Sequence, residues 1–347
     1  MNVLLLTSTT NPRVKAGVET FNDYIKKVFP GLKIIGYDTV RPSAFEWFSP
    51  VKEPLKANAV SSFVKDNLGK LKPDLIITNG MYGWGITEKW ANCPIINISH
   101  GGFAGLALNA IKRTSLEFYR TLLLYAFFEM LSAKNASVVV ANSRLTMELN
   151  KKYYGVSSIV IHNPVDTKTF APIGKKNARR KLGLDARKKI GLFVGRPEYQ
   201  KGFDLFEKIA RERPEIEFIS ITFPKTGSGI KNIKGVSVKG RKELALYYSA
   251  ADFVLFPSRF EGFGFVPIEA LSCNTPVISS DVGVVKEMEV DGLQKISSMD
   301  AKKWLAAVDR AIAKKGRAKS AGFIRKRFGL GLFRRKFFAL DRGLAKN

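Results

Sequence analysis

The chain has 347 residues, more than one ordinary core needs and enough for two α/β domains. Hydrophobic residues make up 45%, which excludes a disordered chain as the default. Lys+Arg 57 against Asp+Glu 30 gives a formal charge of +27, and an excess of that size points to a nucleotide, a nucleic acid or an anionic membrane face. A solvated basic surface is the plain alternative. Cys93 and Cys273 lie far apart, so neither a disulfide framework nor a zinc spacing is present, and a reducing compartment is expected.

The first residues, Met1 to Thr7, lack the basic leader and the length of a signal peptide and read as a buried strand. Lys15-Ala16-Gly17-Val18-Glu19-Thr20 follows it and leads into a helix carrying Phe21, Ile25 and Val28. With one glycine it is a weak phosphate loop, neither a dinucleotide fingerprint nor a Walker loop. Further strands are expected at 33–35, 75–78, 95–98, 138–141 and 158–161 in the first half. In the second half they are expected at 190–194, 217–221, 236–238, 253–256 and 276–279. Helical patterns lie between most of them, the signature of parallel sheets covered on both faces, built twice. Phe45, Trp47 and Phe48 cluster on an apparent loop beside Arg41, Lys52 and Lys56, a composition that suits a membrane interface or buried loop anchors. Leu116 to Leu131 is the most apolar stretch, but Glu117, Arg120 and Glu129 argue against a membrane span. A soluble or peripheral cytoplasmic protein at the inner membrane face is expected. The segment from His162 to Gly174 reads as a hinge, and 324–344 as an amphipathic basic helix that either caps the second domain or crosses back to the first. The expected domains are 1–165, 166–325 and a terminal helix at 326–347.

The most informative residues run from Arg259 to Leu271. Glu261 and Glu269 bracket Gly262-Phe263-Gly264-Phe265-Val266, and Pro267 is expected at the first position of a helix. A buried strand, a glycine-rich loop and a helix N-terminus aim spare N–H groups at one point and bind anions. The two carboxylates can accept from hydroxyls on either side of a phosphate, which describes a nucleotide sugar. Gly195-Arg196 and Lys201-Gly202 follow another strand and place two cations at the edge where open α/β sheets bind ligands. His100 precedes Gly101-Gly102, also directly after a strand; no Asp/Cys cluster accompanies it, so no metal site is expected.

Taken in order, Gly17, His100-Gly101, Gly195-Arg196, Lys201-Gly202, Glu261 and Glu269 resemble the retaining glycosyltransferases of family 4. The resemblance implies the GT-B fold, two facing Rossmann-like domains with a cleft between them. It implies that a hexose-type sugar moves from a UDP- or GDP-sugar to a lipid-linked or glycan acceptor, without metal or other cofactor. It assigns the donor diphosphate to Arg196 and Lys201, the ribose to Glu269, and the donor sugar to Glu261 and the N–H groups of Phe263 and Gly264. Phosphate falls to the N–H groups of Phe265 and Val266, the approach of the first loop to Gly17, a sugar contact to His100, and base binding to Lys239-Gly240-Arg241. It also places 116–131 in the core of the first domain. Val284 and Lys286 stand where a second glycine and a proline are common, which bears on donor identity. A basic nucleic-acid-binding protein and a GT-B-fold sugar-nucleotide epimerase are the rival functions; no nucleic-acid module is recognisable.

Overall fold

A computed structural model describes residues 1–11, 17–40, 52–222, 228–314 and 316–344. They form two compact units, one of residues 1–163 together with the chain from Phe333 onward, the other Pro164–Leu332.

In the first unit the order is β1 (Val3–Thr7), α1 (Gly17–Val28), β2 (Lys33–Gly36), α2 (Lys52–Leu71), β3 (Leu75–Asn79), α3 (Glu88–Ala91), β4 (Ile95–Ser99), α4 (Phe103–Ala110), α5 (Leu116–Tyr119), α6 (Ala126–Lys134), β5 (Val138–Ala141), α7 (Arg144–Leu149) and β6 (Ile159–Val160). The sheet is parallel throughout, in the order β2-β1-β3-β4-β5-β6. Strands β1, β3 and β4 are buried along their whole length, as continuous Leu/Ile/Val runs require when both faces are covered.

The second unit runs α8 (Lys175–Leu182), β7 (Ile190–Val194), α9 (Phe203–Arg211), β8 (Glu217–Ile221), β9 (Ile233–Val236), α10 (Arg241–Ala250), β10 (Phe253–Phe256), α11 (Phe265–Ser272), β11 (Val277–Ser280), β12 (Leu293–Ile296), α12 (Ala301–Ala313) and α13 (Ala321–Phe328). Its parallel sheet has the order β12-β11-β10-β7-β8-β9. Counted within the unit, that is the doubly wound order with a reversal between β7 and β10, where such folds bind ligands outside the C-terminal strand ends. The first sheet reverses between β1 and β3.

Three sequence expectations are corrected. Strand β9 lies three residues earlier than expected, and β12 had no counterpart; both are edge strands, half-exposed and interrupted by Lys234-Gly235 and by Gln294-Lys295. The helix expected at 324–344 is two helices, because Gly329 takes an extended conformation before α14 (Leu330–Leu344). Phe333 and Phe337 of α14 pack on Phe21 of α1 inside the first unit. The stretch 116–131 is core on one face only. Phe118, Thr121, Tyr125, Ala126 and Glu129 are buried, while Leu116, Tyr119, Leu123 and Phe127 face outward.

At the N-terminal strand edge of the second unit, Asp252 accepts from Lys175 Nζ, Arg179 Nη2 and the Ile190 N–H, each at 2.8 Å. Arg179 is 2% exposed and also donates to the carbonyls of Ala250 and Lys188. Removing one member of a buried ion pair leaves the other uncompensated. Asp252→Ala is therefore expected to destabilise the protein by about 3–5 kcal/mol, read as a lower denaturant midpoint at unchanged slope.

Candidate active site

The chemistry of the second unit sits at its strand reversal. Gly195 and Arg196 follow β7, and Ser258 to Gly264 follow β10. Between these two stretches, Lys201 Nζ lies 2.7 Å from Glu261 Oε1, and the Ser258 hydroxyl lies 2.9 Å from the same oxygen. Both side chains of the Lys201–Glu261 pair are largely buried, at 19% and 14% exposure, so water screens them little. Among the described residues no side chain donates to Glu261 Oε2. Arg196 is more open and pairs with Glu198 at 3.0 Å.

Gly202 is what lets Lys201 reach this point. Its φ of +71° is left-handed, and a Cβ there would meet the Pro257 carbonyl oxygen at 1.9 Å. Gly202→Ala is expected to displace the loop from β10, lowering the melting temperature and weakening ligand binding together; strained backbone of this kind costs about 1–3 kcal/mol before the clash is added.

Helix α11 begins at Phe265, with left-handed Gly264 as its N-cap. Pro267 therefore occupies the third helical position, not the first. It remains in the first turn, where N–H groups have no intrahelical acceptor and a proline costs little. Val266 supplies a backbone N–H in that same turn.

Glu269 is 7% exposed and accepts from the Tyr248 hydroxyl at 3.0 Å. Burial pushes its pKa up to about 7, against the opposing pull of Arg241 and the Tyr248 hydrogen bond. Arg241 opens α10 immediately after Gly240. Glu269, Arg241 and Tyr248 thus form one polar group, and Tyr248 is the member that sequence reasoning missed. Asp281, at the end of β11, buries an Oδ1 with no hydrogen-bond partner among the described residues.

The polar groups of the first unit lie at the C-terminal ends of β1, β3 and β4. His100 Nε2 is 2.8 Å from Asn79 Oδ1. The Asn79 amide nitrogen faces Asn22 Oδ1 at 2.8 Å and Thr7 Oγ1 at 3.2 Å, which orients its oxygen toward the histidine. That network assigns the proton to Nε2 and leaves Nδ1 as an acceptor. Burial lowers the His100 pKa to about 4, so the imidazole is neutral at physiological pH. Glu129, whose pKa burial raises against hydrogen bonds from Tyr154 and Phe103, accepts from the Tyr154 hydroxyl at 2.6 Å and the Phe103 N–H at 2.7 Å. It thereby fixes the glycine loop after His100. Gly17 opens α1. Phe45, Trp47 and Phe48 lie outside the described residues. Among the described residues no group of three His, Cys, Asp or Glu side chains could hold a metal ion.

Two Rossmann-type sheets, with a buried cation–carboxylate pair and a second buried glutamate at the reversal of the second, define a protein of the GT-B glycosyltransferase class. Residues 3–169 match the family described as Glycosyltransferase Family 4, and residues 188–314 match Glycosyl transferases group 1. The chain belongs to these group 1, family 4 glycosyltransferases. A D-inositol 3-phosphate glycosyltransferase of Mycobacterium sp. (strain KMS) is 27% identical over 259 residues, covering 68% of this chain and 57% of the relative. The corresponding Mycolicibacterium gilvum enzyme is 28% identical over 240 residues, covering 62% and 52%. The chain thus matches a little over half the length of these curated relatives. Among solved structures, sucrose-phosphate synthase from Thermosynechococcus elongatus has a TM-score of 0.82 at 19% identity over 100% of both chains. Anabaena HepE in complex with UDP-glucose has a TM-score of 0.73 at 18% identity over 99% of each.

Proposed function

We propose that the chain is a retaining, metal-independent glycosyltransferase that moves a hexose-type sugar from a UDP- or GDP-sugar to a lipid-linked or glycan acceptor. The observation that carries this reading is the grouping of Lys201, Glu261 and the start of α11 at one strand reversal. Lys201 and Arg196 grip the diphosphate and stabilise the charge that develops on it as the glycosidic bond breaks, so preorganised cations do the electrostatic work. Glu269 accepts from the ribose hydroxyls. Glu261 accepts from hydroxyls of the sugar, and N–H groups at the start of α11 face phosphate. Arg241 lies beside Glu269, where a base would follow the ribose. The HepE structures with UDP and UDP-glucose support a nucleotide-sugar donor of this kind. The relatives named D-inositol 3-phosphate glycosyltransferase support a polyhydroxylated, phosphate-bearing acceptor class.

The test is a thermal-shift panel of UDP, GDP, ADP and their sugars with chelator present. A ligand at 100 times its dissociation constant is expected to add about 2.7 kcal/mol of stability. A selective shift names the donor class, and NMR of the product anomer then decides retention. Absence of any shift across the panel overturns the reading, and duplex DNA binding with steep salt dependence would replace it.

A further inference from the structure

Helices α5 and α6 are joined by a π-helical segment, Arg120–Tyr125, into one continuous helical stretch. Nine large apolar side chains are exposed among the described residues, and four of them lie on this stretch: Leu116 (81%), Tyr119 (52%), Leu123 (63%) and Phe127 (48%). Their spacings of three, four and four residues set them on a single face, opposite the buried Phe118, Thr121, Tyr125 and Glu129. A helix on a water-exposed surface carries polar residues outward; one that is apolar on both faces has a second apolar medium to meet. The surrounding charge says which medium. Lys112 and Arg113 are exposed just before the stripe, Arg120 is half-buried with its guanidinium over the Tyr125 ring, and Glu117 is the one acid between 112 and 127. The whole chain adds +27. No helix of the described residues is long and apolar enough to cross a membrane.

We infer that this stripe lies in the plane of an anionic bilayer, with Leu116, Leu123 and Phe127 entering the acyl boundary, the Tyr119 ring at the headgroup level, and Lys112 and Arg113 on lipid phosphates. Amphipathic segments dock this way when buried apolar area and basic charge act together. The surface belongs to the first unit, and its use in the reaction rests on the proposal of a lipid-linked acceptor.

The test is flotation of the full chain with vesicles of equal parts phosphatidylglycerol and phosphatidylcholine, and with phosphatidylcholine alone. The expected result is binding to the anionic vesicles that weakens with salt. Leu116→Ser/Leu123→Ser/Phe127→Ser should cut partitioning by at least about tenfold, because each loses buried apolar area in the membrane. These side chains are exposed, so the melting temperature and nucleotide-sugar binding should stay unchanged. Lys112→Glu/Arg113→Glu should weaken binding at low salt. Failure of the wild-type chain to float, or undiminished flotation of the serine variant, overturns the proposal. So does a wild-type dimer that the serine variant dissolves, for then a second copy covers the stripe. Flotation needs no turnover, so a chain that floats but binds no nucleotide sugar defeats the transferase reading and leaves the surface standing.

Discussion

Lys201→Ala is expected to lower kcat/KM with the nucleotide sugar by about 10²–10³-fold, the usual consequence of removing one preorganised charge from a reacting centre. The reason lies in what Lys201 does before a ligand arrives. Its ammonium is held 2.7 Å from Glu261 Oε1 in a largely buried pair, so it is positioned and partly desolvated in advance. In the proposed function a diphosphate entering this loop would take over the lysine, while the Ser258 hydroxyl keeps the Glu261 carboxylate anchored and Oε2 is left for a sugar hydroxyl. The two residues are therefore separable. Lys201→Ala should weaken both nucleotide binding and turnover. Glu261→Gln frees the lysine, so nucleoside-diphosphate affinity should hold or rise while turnover of the sugar nucleotide falls. Calorimetry with the nucleotide alone, set against steady-state kinetics, distinguishes the two. Equal losses of nucleotide affinity in both variants would mean that the pair is structural. A melt serves as the control, since Lys201→Ala leaves a mostly buried carboxylate without its cation and should cost about 1–3 kcal/mol of stability.

Why Lys201 and Glu261 were legible in the sequence, while their neighbours were not, follows from how each is held. Strands 190–194 and 253–256 are unbroken apolar runs ended by Gly195 and Pro257, so their C-terminal ends, and the loops they launch, can be read directly. The glutamates are marked by the glycines and the proline around them, because backbone that approaches a ligand needs glycine. Pro267 carried the right meaning at the wrong position: any place in a first turn tolerates it, and the sequence does not say which. Tyr248 has no such mark. It reaches Glu269 from another helix, and an apolar helix face looks the same whether its tyrosine is core or holds a carboxylate. Asn79 and Glu129 behave alike, since their partners His100 and Tyr154 come from distant parts of the chain. Edge strand β12 was hidden for the opposite reason. With one side open, Leu293-Gln294-Lys295-Ile296 needs no apolar run. The outward face of 116–131 was missed because the resemblance assigns the stretch to the core as a whole, and an apolar run does not say which of its residues turn outward.

The affinity for the nucleotide sugar is expected to rise by about tenfold between pH 6 and pH 8, through Glu269. Its pKa in the folded, ligand-free protein is raised by burial from 4.5 to about 7. Ribose hydroxyls donate more strongly to a carboxylate than to a protonated acid, which keeps only its carbonyl oxygen as a good acceptor, so binding below pH 7 is coupled to the loss of a proton. The sign for stability is the reverse. The folded state holds a proton that the unfolded chain has released, so the ligand-free protein loses stability as pH rises from 4.5 to 7 and levels off above it. The full loss is about 3 kcal/mol. Glu269→Gln removes both effects. The ligand-free variant should melt higher than wild type at pH 8 and equally at pH 4. Its affinity should be independent of pH and lower at pH 8 by roughly 30- to 1,000-fold, the equivalent of about 2–4 kcal/mol in hydrogen bonds to a charged acceptor. The titration should use the intact sugar nucleotide, because a terminal phosphate itself titrates near pH 6 and would imitate the effect. His100, neutral above about pH 4, adds nothing in this window. An affinity flat from pH 6 to 8 in the wild type, or a Glu269→Gln variant that binds as tightly at pH 8, would remove Glu269 from the ribose and leave it as a buried partner of Tyr248.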